Sequence, residues 1–260
     1  MPGKLIEPER EQILRFCAAD PIERVFLEDM ARRDIGRFFA VSSRGTLDAL
    51  CHVGVNAVPS GVGCGAFARE VVRAGPRMLI GEANAVSDLW REVRSRLPRP
   101  RENRPGQPVF VIRDAPEPGD TALRPASLDD LDLLVPACAA AHEQEIGVDP
   151  LSRDREGFRW RTRSQIEDKR SWLWVEDGAI LFKAEASAWT PSAVQLQQVW
   201  VDPAARRRGY GARGLRDLCR LLLEKTPAVC LFVRSENTPA IRLYETVGME
   251  HVLDYRSVLL

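Results

Sequence analysis

Apolar and polar positions change their period several times along the chain. Trp172–Glu176 and Ile180–Ala186 alternate around Asp177-Gly178, which predicts two half-buried strands joined by a tight hairpin turn. Val194–Val201 reads as a third strand. Leu215, Leu218, Cys219 and Leu222 then recur at steps of three and four, which marks a helix with one apolar face. Val229–Val233 predicts a strand, Pro239–Val247 a helix and Val252–Leu259 a closing strand. Upstream, Ser127-Leu-Asp-Asp-Leu predicts an N-capped helix running past His142. Gly157–Asp168 predicts a second, arginine-rich helix. The order α-α-β-β-β-α-β-α-β argues for an α/β (α+β) chain with a central mixed sheet.

The stretch from Pro98 to Gly119 is dense in proline and glycine and holds one strand-like run, Val109–Arg113. A domain boundary is expected just after that run, dividing residues 1–118 from 119–260. A length of 260 residues fits one large or two modest domains. The 37 basic and 37 acidic residues cancel, so bulk attraction to nucleic acid or anionic lipid gets no support. Arg91, Arg94, Arg96, Arg99, Arg101 and Arg104 crowd one region, but without aromatics to stack bases they read as a solvated helix end and loop. With 45% hydrophobic residues, disorder is excluded as the main state. No apolar run is long enough to span a bilayer. The opening Met-Pro-Gly-Lys-Leu-Ile-Glu-Pro-Glu is expected not to be a signal peptide. The six cysteines form no C-x-x-C pair and the three histidines are scattered. Buried free thiols, no metal site and a cytoplasmic setting follow as expectations.

One segment carries chemistry. Val199-Trp200-Val201 ends a strand at Asp202-Pro203, and Arg206-Arg207-Arg208-Gly209-Tyr210-Gly211-Ala212 leads into a helix. Two glycines let the backbone approach a ligand, and a helix N-terminus with three arginines suits a pyrophosphate. A Walker loop is excluded because the lysine is missing. Gly209-x-Gly211-x-x-Gly214 has the dinucleotide spacing, but the preceding arginines and the absence of a ribose-binding acid after the next strand argue against that motif.

The segment resembles the acetyl-CoA loop of the GCN5-related N-acetyltransferase (GNAT) superfamily, [QR]-x-x-G-x-[GA]. A second signature, N-x-x-A-x-x-x-Y-x-x-x-G-F, is matched by Asn237, Ala240, Tyr244 and Gly248, with Met249 in place of the phenylalanine. The resemblance covers residues 120–260. It implies transfer of an acetyl group from acetyl-CoA, as co-substrate, to a primary amine by direct attack. Val199, Trp200 and Val201 would hold the pantetheine arm, and Arg206 to Ala212 the pyrophosphate. Asn237 would bond the pantetheine or order the strands, and Tyr244 would protonate the departing thiolate. Gln195, Gln197 and Gln198 stand where the family often has a glutamate base; Glu185 on the neighbouring strand is the best carboxylate candidate for that role, and a water relay to solvent or an acceptor of low pKa would need no side-chain base. Glu143, Glu145 and Asp149 follow the first helix, where they would meet an acceptor amine. Arg153, Arg155, Arg159, Arg161 and Arg163, with Trp160, read either as a solvated face or as a hint of an anionic acceptor. The alternative reading is a non-catalytic acetyl-CoA sensor or interaction module.

The first half repeats the pattern. Val53 to Val71 has the strand, Gly63-x-Gly65-Ala66 turn and helix, and Met78 to Trp90 has the strand, Asn84 and an aromatic-bearing helix. Arg37–Ser42 and Leu47–Val55 match the hairpin. This copy lacks the arginines before its glycines, and Trp90 stands where Tyr244 would. The pattern is therefore expected to be a tandem GNAT fold whose degenerate first copy does not catalyse.

Overall fold

The computed structural model describes residues 3–260; Met1 and Pro2, the start of the stretch read as lacking a leader, lie outside the described residues. The first half runs β1 (Lys4–Ile6), α1 (Arg10–Ala18), α2 (Val25–Arg32), β2 (Arg37–Ser43), β3 (Thr46–Val53) and β4 (Asn56–Gly61). It continues through α3 (Ala68–Ala74), β5 (Met78–Glu82), α4 (Ala83–Val93) and β6 (Glu102–Ile112). The second half runs β7 (Arg124–Pro125), α5 (Leu131–Ile146), α6 (Pro150–Arg153), α7 (Arg155–Glu167), β8 (Ser171–Glu176), β9 (Ala179–Trp189) and β10 (Val194–Trp200). It closes with α8 (Tyr210–Leu223), β11 (Val229–Phe232), α9 (Thr238–Val247) and β12 (Glu250–Leu259). The alternation around Asp177-Gly178 forms the expected hairpin, with both turn residues at positive φ (49° and 75°), as a type I′ turn demands. Helix α5 continues through Pro136, which the surrounding packing of Leu134, Val135 and Cys138 tolerates.

The twelve strands of the described residues form one sheet in the order β1-β2-β3-β4-β5-β12-β6-β11-β10-β9-β8-β7. The order shows an exchange. β5 of the first half pairs with β12, the last strand of the second, while β11 of the second half pairs with β6, the last strand of the first. The two exchanged strands pair with each other in the middle. Alternate residues of β6 serve opposite faces of the sheet. Phe110 and Ile112 join the core of Leu218, Leu231 and Tyr244, whereas Val109 and Val111 join Val25, Cys230 and Tyr255. Each half therefore completes the other's core.

The proline-rich stretch 98–119 is more structured than its composition suggests. β6 begins at Glu102 and passes through Pro105, Gly106 and Pro108. Tyr255 pairs with Gln107 and Ser257 with Arg104, so Pro105 and Gly106 of β6 together oppose the single Arg256 of β12 across a bulge. Gly106 supplies the positive φ of 64° there. Arg104, read from sequence as part of a solvated loop, is only 7% exposed.

Candidate acetyl-CoA and acceptor site

Two parallel strands that part create the site. β10 and β11 pair only at Val194–Val229 and Gln195–Cys230, then diverge. The gap opens into a cavity of about 440 Å³ walled by β10, β11 and the following turn, the C-terminus of α5, α9 and the start of β6. β10 carries a bulge here: Gln197 pairs with Glu185 and Trp200 with Lys183, one residue in excess on β10. Gln198 takes the strain at φ 49°, an uncommon value for a residue with a side chain. Its Oε1 accepts a 2.8 Å bond from Lys183 Nζ, which fastens the bulge from below.

The loop after β10 is built as its sequence predicts. Asp202 caps the one-turn 3₁₀ segment Pro203–Ala205 by accepting from Ala204 N at 2.7 Å. Arg207 (φ 61°) and Gly209 (φ 83°) both turn left-handed, and Gly209 caps α8. Arg213 is the first residue of α8 whose N–H reaches back to a carbonyl, that of Gly209. The amides of Tyr210, Gly211 and Ala212 are thus left without intrahelical partners, the arrangement that binds anionic groups. A side chain at Gly211 would press on Leu243 and Val201 at 3.3 Å, and one at Gly214 would strike the Phe182 ring. Helix, β10 and β9 are held close by those two glycines. Arg207 and Arg208 are exposed, Arg208 over the Tyr210 ring, while Arg206 donates to Gln144 Oε1 at 2.8 Å and to the Val201 carbonyl.

Val199, Trp200, Asn237 and Tyr244 all line the cavity. Val201 lies just past it. Asn237 uses its Oδ1 to cap α9 at Ala240 N, leaving its amide nitrogen free. Tyr244 is 6% exposed, its ring 5.7 Å from Phe110 of β6, and its hydroxyl makes no hydrogen bond among the described residues. Burial, and secondarily the Glu145 charge, push its pKa above the usual phenol value, so it keeps its proton.

The structure places Glu185 elsewhere. It does not line the cavity; it is 3% exposed and sits beneath β10 in a closed cluster. Its Oε1 accepts from Lys183 Nζ (3.2 Å) and Cys138 Sγ (3.1 Å), and its Oε2 accepts from Gln197 Nε2 (3.2 Å). Lys183, itself fully buried, also donates to Cys138 Sγ at 3.1 Å. Burial pushes the Glu185 carboxyl up, but Lys183, the Cys138 thiol and Arg161 outweigh it, and the net pKa lies below the ordinary value. A carboxylate so stabilised is a weak base. Glu145, at the end of α5, does line the cavity, and its carboxylate makes no hydrogen bond among the described residues. The residue is exposed at the end of α5, and partial loss of water at the cavity wall raises its pKa against the opposing pull of Arg104, Arg234 and Lys183. Glu143 is exposed outside the cavity, and Asp149 caps α6 through Leu151 N. The arginine face of α7 lies away as well: Arg159 pairs with Asp132, Arg163 with Glu167, and Trp160 is 70% exposed.

Sequence reasoning missed the contribution of β6, whose Glu102 and Gln107 form one wall. The polar positions at 102, 104 and 107 were visible, but three-residue spacing across Pro105-Gly106 hides their common face until the bulge is seen.

The first half has the same layout with the gap shut. β4 and β5 likewise pair at only two positions, Asn56–Met78 and Ala57–Leu79, but a Cβ on Gly81 would lie 2.9 Å from the Pro59 carbonyl, so past the last pair these backbones stay in contact. Gly63 turns left-handed like Gly209 (φ 84°), but the Gly65 amide is already bonded to Asp88 Oδ2 at 2.9 Å. A carboxylate occupies the place where an anion would bind.

Comparison with known proteins agrees with this geometry. Residues 138–249 match the model of the acetyltransferase (GNAT) family. Within these bounds the second half carries a GNAT-family domain. Residues 36–134 match a separate family described as a domain of unknown function. A mycothiol acetyltransferase from Mycobacterium sp. (strain JLS) is 33% identical over 129 residues, covering 40% of this chain and 43% of the relative. The match thus spans less than half of that relative's length. Among solved structures, a GNAT-family acetyltransferase from Colwellia psychrerythraea aligns with 99% of both chains at TM-score 0.60 and 11% identity. A tandem GNAT protein from the clavulanic acid biosynthesis pathway covers 98% of both at TM-score 0.56 and 10% identity. At such identities these two speak to fold alone, and the fold of the whole chain is a tandem GNAT fold. Among the described residues, no helix is long and apolar enough to cross a membrane, and no group of three or more histidine, cysteine or acidic residues is placed to hold a metal.

Proposed function

We propose that the protein transfers an acetyl group from acetyl-CoA to a primary amine through its second half, the first half being catalytically silent. The observation that carries this reading is the open gap between β10 and β11, with the Tyr244 hydroxyl in its wall and the Gly209 helix start at its mouth. The pantetheine arm lies along Val199, Trp200 and Val201 as an added strand. The pyrophosphate takes the free amides from Tyr210 to Ala212 and the charges of Arg206, Arg207 and Arg208. Asn237 offers its free amide N–H to the pantetheine. The amine attacks the thioester carbonyl, the C–S bond breaks, and Tyr244 gives its proton to the leaving thiolate. Glu145, with its raised pKa and its place on the cavity wall, takes the proton released by the amine; Glu185 instead holds Lys183 and the β10 bulge in place. Metal is not needed for this sequence.

In chain order the units are residues 1–118 and 119–260, with β6 and β12 exchanged between them. The name of the mycothiol acetyltransferase relative puts mycothiol-type amines among the acceptors to screen. Six free, buried cysteines support a reducing, cytoplasmic setting.

Calorimetric titration with acetyl-CoA tests the donor half of this reading. One site per chain is expected, weakened about 10-fold or more in Arg206→Ala/Arg208→Ala. Two sites would overturn the silent first half. Thiol release with an amine panel tests the rest: Tyr244→Phe is expected to lower kcat by about 10²-fold with little change in acetyl-CoA affinity. Binding without amine-dependent thiol release would instead favour a non-catalytic acetyl-CoA sensor.

A further inference from the structure

The cavity opens at one end of the sheet, and the fold brings a band of unpaired positive charge to that same end. β10 and β11 run toward the opening, so β6, antiparallel to β11, starts there at Glu102, a cavity residue. β12 ends there and β5 starts there. Leu260 N donates to the Arg77 carbonyl at 2.9 Å and Arg101 N to the Leu259 carbonyl at 2.8 Å, so Arg77 and Arg101 flank the end of β12. Helices α3 and α4 both run back toward this end, because each leads into a strand that starts here. Their ends and the segment after α4 bring Arg73, Arg94, Arg96 and Arg99 to the same rim.

All six of these arginines are exposed. In this stretch the described ion pairs are those of Arg91 with Asp88 and of Arg104 with Glu102. Glu92 is the one exposed acid between residues 73 and 101. Arg73 and Arg91 complement the negative ends of α3 and α4, but Arg96, Arg99 and Arg101 lie past both helices and have no such role. Inside the rim the sign changes. Glu102, Glu145 and Glu236 line the cavity against one arginine, Arg234. Glu102 is held below the ordinary carboxylate value by its bond from Arg104, with Arg234 and Arg101 adding to the effect, so it keeps its charge beside the rim.

A ligand that matches this order puts a cation in the cavity and anions outside it. An amine followed by a run of carboxylates does so. Nucleic acid supplies anions, but its amines are conjugated to the base rings and are poor nucleophiles. Bases also find no stacking platform here, since Trp90, the aromatic of this stretch, packs against the core of the first half. We propose that the rim formed by Arg73, Arg77, Arg94, Arg96, Arg99 and Arg101 docks an acidic polypeptide and delivers its amine to the cavity. The acceptor class rests on the acetyl-transfer reading; the docking does not. The first half, silent in catalysis, then selects the acceptor by charge.

The test offers the full chain peptides with one amine, either a free amino terminus or a single lysine behind a blocked terminus, followed by a run of glutamates. Control peptides carry glutamine in place of every glutamate. Binding is read by calorimetry with coenzyme A present, and turnover by thiol release from acetyl-CoA. For at least one of the two amines, kcat/KM for the glutamate peptide is expected to exceed that for its control by about 10-fold at low salt, mostly through KM. The ratio is expected to fall toward one at about 1 M salt, where charges are screened beyond ~3 Å. Arg99→Gln/Arg101→Gln is expected to cut the ratio by about threefold or more, while turnover of ethanolamine stays within about twofold of native. Both positions are exposed, and the salt series on the native protein carries the test if the variant does not fold. Equal use of glutamate and glutamine peptides, a ratio insensitive to salt, or a ratio kept in the folded variant overturns the proposal. Duplex RNA that binds and is lost in the same variant, with no binding of the glutamate peptides, overturns it in favour of phosphate recognition. Arginine-dependent binding of the glutamate peptides without thiol release upholds the docking surface and overturns acetyl transfer instead.

Discussion

Replacing Lys183 by methionine is expected to unfold the chain more readily than any surface change, and the reason lies in the closed cluster under β10. Lys183 and Glu185 are 0% and 3% exposed and 3.2 Å apart, with Cys138 and Gln198 as the remaining partners of the ammonium. Lys183→Met keeps most of the volume but strands a buried carboxylate, and breaking such a pair from one side costs about 3–5 kcal/mol. Glu185→Gln strands the ammonium at a similar cost. The double variant Lys183→Met/Glu185→Gln removes both charges, so its loss is expected to fall short of the sum of the singles by about 2–3 kcal/mol. Equilibrium urea unfolding of the four proteins measures this coupling. The Lys183→Met cost also depends on pH. Without the ammonium, burial raises the folded-state pKa of Glu185 above its unfolded value of about 4.3. The penalty is then absent below the unfolded pKa, grows as pH rises, and is complete above the folded one. Additive single losses, with coupling under about 0.5 kcal/mol, or a penalty that does not change with pH, would refute the closed ion pair. Loss of the anchor at Gln198 also frees the bulge that walls the cavity, so acetyl-CoA affinity is expected to fall along with stability.

Three further outcomes follow from the geometry. Glu145→Gln is expected to lower kcat/KM by about 10²-fold and to remove an acid limb that, in the native protein, is moved upward from the ordinary carboxylate value because partial desolvation at the cavity wall outweighs Arg104, Arg234 and Lys183, with Glu185 and Tyr244 also facing the group; a pH–rate profile with its acid limb unmoved would assign the base elsewhere. Gly214→Ala puts a methyl group into the Phe182 ring and is expected to cost about 1–3 kcal/mol in thermal or urea unfolding; an unchanged midpoint would mean that α8 and β9 yield easily. The Asp130 carboxyl is held down to about 2 chiefly by its bidentate bonds from Arg124, both 2.7 Å, so it stabilises the fold above its unfolded pKa and loses that contribution as pH falls from about 4 toward 2. Asp130→Asn is expected to flatten that acid limb and to cost about 1 kcal/mol at neutral pH, the half-exposed Arg124 limiting the gain.

Local sequence determined much of this protein. The period-two runs, the Asp177-Gly178 turn and the three-four spacing of Leu215 to Leu222 depend on neighbours within a few residues, and each forms as read. The cradle from Arg206 to Ala212 is legible for the same reason: glycine at a left-handed position and free helix amides are properties of a short segment. Tyr244 and Asn237 could be placed on one cavity because a family resemblance supplied their long-range arrangement. Tertiary structure decided the rest. Whether Glu185 meets the cavity depends on Lys183 and Cys138, the latter 47 residues away in the chain. Whether the first copy stays open depends on how closely Gly81 approaches Pro59. The exchange of β6 and β12 carries no local signature, since a strand's pattern records that it is buried but not which partner buries it. Through that exchange Glu102 and Gln107, from the proline- and glycine-dense stretch before the expected boundary, come to wall the cavity whose other residues lie in the second half.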